Sequence, residues 1–112
     1  MFSKDLIKGN MSLIILSSLA SGEKYGYEIT KEVHNLTNGT ILLKEGSLYP
    51  ALHKLEKQKL VEGYWVQQDP GKPGRKYYRI TSEGIKAVEQ EKEKWKFYMG
   101  IMGRVIYGDE NT

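Results

Sequence analysis

The 112-residue chain contains no cysteine, which excludes disulfides and thiolate metal sites and fits a reducing, cytoplasmic setting. Its only histidines, His34 and His53, fall on different predicted helices, so no closely spaced pair exists to begin a metal site. There is no phosphate-binding glycine loop, and Gly46–Ser47 lacks the second glycine of a nucleophile elbow. These absences remove the usual supports for catalysis, and the expectation is a protein that is not an enzyme and carries no cofactor. Long apolar runs are missing too. The longest aliphatic stretch is Leu13 to Leu16, far below the roughly 18 residues of a membrane-spanning helix, and nothing near the start resembles a secretory signal. Proline is scarce, and two of the three prolines lie in Asp69–Pro70–Gly71–Lys72–Pro73–Gly74. The length fits one domain.

What is present is helical periodicity and a clustered positive charge. Asp5 to Ala20 reads as a first helix, apolar on most sides, and is expected to be buried partly against another subunit. A second helix opens at Tyr25–Gly26–Tyr27–Glu28 with Ile29, Val33 and Leu36 as its apolar stripe. Tyr27 is expected to be buried and Tyr25 partly exposed. Asn38–Gly39 is a turn, and Thr40 to Leu43 reads as a short extended piece. In the third helix Leu48, Leu52 and Leu55 form the buried stripe, Ser47 is the expected N-cap and Pro50 is expected in the first turn.

The third helix turns Tyr49, His53, Lys54 and Lys57 to another side. Tyrosine and lysine hold phosphates, and histidine or lysine reaches purine N7 or guanine O6. Ser47 at the helix start either caps it or offers its backbone N–H to a phosphate. Two strands follow, Val61 to Gln68 and Arg75 to Ile80, joined by the Pro/Gly loop. Gln67 to Arg79 carries Lys72, Arg75, Lys76 and Arg79 against Asp69 alone, a net charge of +3 in one hairpin where the whole chain is also +3. Alternation places Lys76, Tyr78 and Ile80 on one face of the second strand and Arg75, Tyr77 and Arg79 on the other. A donor-rich helix beside a basic hairpin suits the major groove and flanking backbone of duplex DNA. Lys24, Tyr25 and Lys31 would add phosphate contacts from the second helix. The bland alternative is a solvated helix face and a hairpin whose lysines only discourage edge pairing.

Thr81 is positioned to cap a fourth helix. Along it Ile85, Val88, Lys92, Trp95, Met99, Met102 and Ile106 repeat at 3-4 spacing, a coiled-coil-like seam over three heptads. The cover expected for it is a second copy of the same helix or of the first helix. Leu6 and Met11 are accordingly placed in the same dimer interface. Trp95 reads either as an interface anchor or as a stacking plate for a flat ligand.

The order helix, helix, helix, strand, basic turn, strand, long helix is that of a winged helix-turn-helix with a dimerisation helix, an α+β fold that is mostly α. Its expected division is 1–81 for the winged domain, 82–108 for the dimerisation helix and 109–112 for a frayed tail. Tyr25–Gly26–Tyr27–Glu28–Ile29, Glu45–Gly46–Ser47–Leu48–Tyr49–Pro50–Ala51–Leu52, Gly74–Arg75–Lys76–Tyr77–Tyr78 and Thr81–Ser82–Glu83–Gly84, in that order, resemble the PadR family of bacterial transcriptional regulators. The single C-terminal helix is similar to its smaller subgroup. The resemblance implies a homodimer on a palindromic operator, usually a repressor. It implies a recognition helix at Ser47 to Gln58 and a wing at Gln67 to Tyr77, with Lys72, Arg75, Lys76 and Tyr77 touching DNA. It also implies that Trp95 stands where multidrug-sensing relatives stack planar effectors. From outside that class, the competing expectation is a winged helix used only for protein–protein contact.

Overall fold

The computed structural model describes residues 4–108, so the expected tail at 109–112 lies outside the described residues. The elements are α1 (Lys4–Gly9), α2 (Met11–Ala20), β1 (Lys24–Tyr25), α3 (Gly26–Leu36), α4 (Glu45–Lys57), β2 (Val61–Val66), β3 (Arg75–Ile80) and α5 (Ser82–Tyr107). The strands form an antiparallel sheet in the order β1-β3-β2. This is a winged helix-turn-helix with a long C-terminal helix.

The expected single first helix is broken. The Asn10 side-chain amide donates to the Leu6 carbonyl at 2.8 Å and its backbone N–H to Ile7, so a local bond competes with the helical one and the axis restarts at Met11. β1 also escapes the sequence reading, because two residues carry no periodicity. Lys24 pairs with Tyr78 and Tyr25 with Tyr77. α3 then opens on Tyr25, whose N–H donates to the Glu28 carboxylate at 3.2 Å. Asn38 and Gly39 end the α3 region with positive φ of 50° and 80°. The segment expected to be extended at Thr40 to Leu43 is no strand but a connection that buries Ile41 and Leu43.

Leu48, Leu52 and Leu55 of α4 join Ile15, Leu16, Leu19, Ile29, Val61 and Val88 in one core. α4 begins earlier than expected, with Lys44 as its N-cap. Ser47 is therefore in the first turn rather than at the cap, and Pro50 sits inside the helix, where it cannot donate to Gly46. Lys59, with φ of 61°, closes the helix and Leu60 N–H bonds back to Leu55. β2 runs to Val66, two residues short of expectation, and its register sets Val61 opposite Ile80 and Val66 opposite Arg75.

Thr81 caps α5 as the sequence predicts, its hydroxyl accepting from Gly84 N–H at 3.0 Å while donating to the Lys59 carbonyl at 2.8 Å. Gly84 is buried because a Cβ there would collide with the Leu60 carbonyl oxygen. The 26 residues of α5 reach about 39 Å at 1.5 Å per residue, well past the core. The radius of gyration is accordingly 16.3 Å against about 13 Å for a compact chain of this size. Beyond Val88 the helix leaves Trp95, Phe97, Met99, Ile101, Val105 and Ile106 exposed. No helix among the described residues is long and apolar enough to cross a membrane.

Candidate nucleic-acid interface

The buried leucines fix the rotation of α4, and with it the outward side. Ser47, Tyr49, His53, Lys54 and Lys57 are all exposed, so the five residues singled out in this helix share the solvent side. Tyr49 has a second task. Its ring lies over Gly26 at the start of α3, where an added Cβ would stand 2.7 Å from the phenol oxygen. The glycine between the two tyrosines therefore lets α4 seat against α3. Gly26→Ala should push the Tyr49 ring outward at a cost of about 1 kcal/mol, since a side-chain tip can move. The check is the melting temperature against that of Tyr49→Phe.

The phase of α3 overturns the expectation that Tyr27 is buried and bears out that Tyr25 is partly exposed. Gly26, Ile29 and Val33 face inward, which leaves Tyr27 exposed at 61% and Tyr25 half-buried. Leu36, expected on the buried stripe, is 76% exposed.

The wing loop carries its own scaffold. Gln67 Nε2 donates to the Asp69 and Lys72 carbonyls, and Gly71 takes a φ of 81°. Lys72 is exposed, with Asp69 only at the 4.0 Å limit of an ion pair. Arg75 lies on the Tyr25 ring, 4.6 Å from its centroid, and donates to its hydroxyl at 3.2 Å. Tyr77 sits between Tyr25 and Tyr64, with ring centroids 5.3 and 6.0 Å away. Tyr64 in turn donates to Glu23 at 2.5 Å, which raises the phenol pKa, with desolvation adding to it.

Two lysines assigned to DNA are engaged elsewhere. Lys24 turns its ammonium inward to the Ser18 and Gly22 carbonyls, the Ser21 hydroxyl and, at 3.4 Å, Glu32. It ties the turn after α2 to α3 and has little left for a phosphate. Lys76 lies on the inner face of β3 and pairs with Glu56 of α4 at 3.1 Å, over the Tyr78 ring. Gly63 is the residue that leaves room for this pair. Its hydrogen bond to Glu56 raises the Lys76 pKa above the ordinary 10.5. The pair's stabilisation through Lys76 is therefore complete at neutral pH and is lost only as pH rises through that raised value. Both side chains are 30% exposed, so Lys76→Ala should cost no more than about 1 kcal/mol in urea unfolding. It should also reduce DNA affinity less than Lys72→Ala does.

Along α5 the expected seam divides. Val88 is 0% exposed and Met11 of α2 is 7% exposed. Both belong to the protomer's own core, because Gly84 brings the first turns of α5 down onto it, and neither is free to meet a partner. Leu6, Ile85, Lys92, Trp95, Met99 and Ile106 are exposed and Met102 is half-buried. Lys92 reaches Glu89 at 3.7 Å on its own helix. Trp95 stands 6.0 Å from the Tyr98 ring.

Sequence reasoning gave three residues here no individual role, reading Glu56 as a helix-end or surface charge and Gln67 only as the start of the wing. Trp65, 72% exposed, pairs with Lys76 across the hairpin and lines the hollow between wing and α4 with Tyr49. Strand alternation from the buried Val61 would have placed it on that face. Glu56 and Gln67 gave no local signal, since their partners are set by the tertiary fold and by the loop's conformation.

A winged helix-turn-helix with an exposed polar third helix defines a class, the winged-helix transcriptional regulators. The model described as "Transcriptional regulator PadR-like family" matches residues 15–90, and the chain belongs to that family. A protein of Lysinibacillus sphaericus carrying the name "Uncharacterized protein X" is 40% identical over 111 residues, 98% of this chain and 100% of its own length. A transcriptional regulator from Clostridium thermocellum superposes with a TM-score of 0.84 at 37% identity, covering 92% of this chain and 99% of that one. A PadR family transcription regulator from Clostridium difficile gives 0.76 at 34% identity, covering 88% and 99%.

Proposed function

We propose that the protein is a homodimeric, sequence-specific DNA-binding repressor acting in the bacterial cytoplasm. Residues 1–81 form its DNA-binding head and 82–108 its dimerisation helix. The observation that carries this reading is the shared exposure of Ser47, Tyr49, His53, Lys54 and Lys57 beside a wing whose Lys72 is almost unpaired. α4 enters the major groove, and Lys72, with Arg75 and Tyr77 at the wing's base, holds the adjoining backbone. In this docking Tyr25 braces Arg75, Lys24 fastens α3, and Lys76 sets the angle between wing and recognition helix through Glu56.

The exposed apolar length of α5, with Leu6 of α1, supports pairing of two copies. Two-fold symmetry then places the recognition helices roughly 34–36 Å apart, one turn of DNA, on a palindromic operator. Salt-dependent binding to duplex from immediately upstream of the protein's own coding region tests the reading, with random duplex as control. A clear preference for the upstream DNA supports a self-regulating repressor. Absence of any binding at low salt sinks it in favour of a protein-interaction module.

Release by a small aromatic or hydrophobic effector is the finer part of the proposal, and Trp95 beside Tyr98 supports it. Because Trp65 is an exposed second fluorophore, quenching should be measured in a Trp65→Phe background. Saturable quenching by planar aromatics that disappears in Trp95→Ala is the expected result. Linear, non-saturating quenching counts against it.

A further inference from the structure

A second cavity lies at the N-terminal end of the recognition helix. It has a volume of about 430 Å³ between α1 and the connection that leads into α4, within the range of small-molecule sites. Ile7, Met11, Leu42 and Leu43 provide apolar walls, and Lys4, Lys8, Lys44 and Ser47 provide a polar rim, with Asp5 the single acid. Met11 and Leu43 are at the floor, 7% and 3% exposed, while Leu42 overhangs the mouth at 61%. Unlike Lys24 and Lys76, none of the three lysines has an ion-pair partner among the described residues. Leu42 thus stands exposed beside three ammonium groups that have no ion-pair partner among the described residues.

We infer that this cavity is a binding site for an amphipathic carboxylate, a hydrocarbon tail carrying one anionic head. The carboxylate sits among Lys4, Lys8 and Lys44, and the tail lies on Ile7, Met11, Leu42 and Leu43. A phosphodiester of DNA would use the lysines alone and leave the apolar walls uncovered. A neutral hydrophobe would use the walls and leave the lysines idle. Only an amphipathic anion uses both halves. The site is separate from Trp95, whose neighbours are Leu6, Asn10, Leu13 and Tyr98. Since Lys44 and Ser47 stand at the start of α4, an occupied cavity competes with DNA there. That consequence rests on the DNA-binding reading, whereas occupancy itself does not.

The test is calorimetric titration of the full-length protein with hexanoate, octanoate and decanoate, each below its micelle-forming concentration, and with inorganic phosphate. The expected result is saturable binding at one site per protomer that tightens by about fourfold per methylene, with phosphate at least about tenfold weaker than decanoate. Lys8→Glu and Leu42→Asp, both at exposed positions, should each weaken decanoate about tenfold, and Lys86→Ala, exposed on α5 and outside the cavity, should leave it unchanged. The inference is overturned if binding does not saturate, or if it survives both cavity variants. It is equally overturned if binding is lost in Lys86→Ala, or if phosphate binds as tightly as decanoate. Because no DNA enters the titration, its failure is distinct from failure of the repressor reading.

Discussion

Gly84→Ala is expected to destabilise the fold by about 3 kcal/mol, at the upper end of overpacking costs. The neighbour in the way is the Leu60 carbonyl, with Ile80 also crowding the added methyl. Neither moves independently. The Leu60 carbonyl accepts from Thr81 N–H at 3.0 Å, so shifting it disturbs the junction that joins α4, the sheet and α5. The intrinsic gain of alanine over glycine in a helix, about 1 kcal/mol, is outweighed. Thermal unfolding should fall by roughly 15 °C. Gly46→Ala is the control, because nothing lies within 4 Å of its added methyl, and it should hold or slightly raise the melting temperature. A Gly84→Ala protein as stable as the parent would mean that α5 leaves the core at a different angle.

The triple variant Lys54→Ala, Lys57→Ala, Lys72→Ala should nearly abolish DNA binding at physiological salt without unfolding the head. All three side chains are exposed, and none of them contributes to the core. If each neutralises one phosphate, the slope of log affinity against log salt should drop by about 2.7 per head. His53→Ala is the complementary probe. A residue reading a base edge costs roughly 1–3 kcal/mol on the preferred sequence and little on others. Lys72→Ala alone should weaken specific and random duplex alike. Fluorescence anisotropy across a salt series separates these cases. A triple variant with an unchanged slope would show that DNA docks elsewhere on the molecule.

The residues that the sequence reading placed well share a physical character. Leu48, Leu52 and Leu55 fix the rotation of α4 through the 3.6-residue period, so the exposure of Tyr49, His53 and Lys57 follows without knowledge of any other element. Thr81 could be recognised as a cap because capping is local, and the shared face of Lys76, Tyr78 and Ile80 follows from strand alternation. Where the reading missed, the deciding partner was remote or the signal too short. Asn10 breaks a helix with one side-chain bond, and β1 is two residues that exist only because β3 lies beside them.

Charge shows the boundary most clearly. The sequence by itself determined that this chain folds as a winged helix with a long apolar-striped final helix, that its positive charge concentrates in the hairpin, and that it belongs with the PadR-like regulators. The fold and the charge distribution depend on periodicity, turn chemistry and composition, and the family on four short motifs in order, all of which are written along the chain. Only the tertiary structure decided which charges are free. Lys24 is consumed by Glu32 and three oxygens of the preceding turn, and Lys76 by Glu56, twenty residues away. Lys4, Lys8 and Lys44 have no ion-pair partner among the described residues and line an apolar hollow. It likewise decided that Val88 and Met11 serve the protomer's own core while Trp95 and its neighbours stay open. Pairing and burial depend on distances between segments far apart in sequence, and periodicity carries no information about those distances.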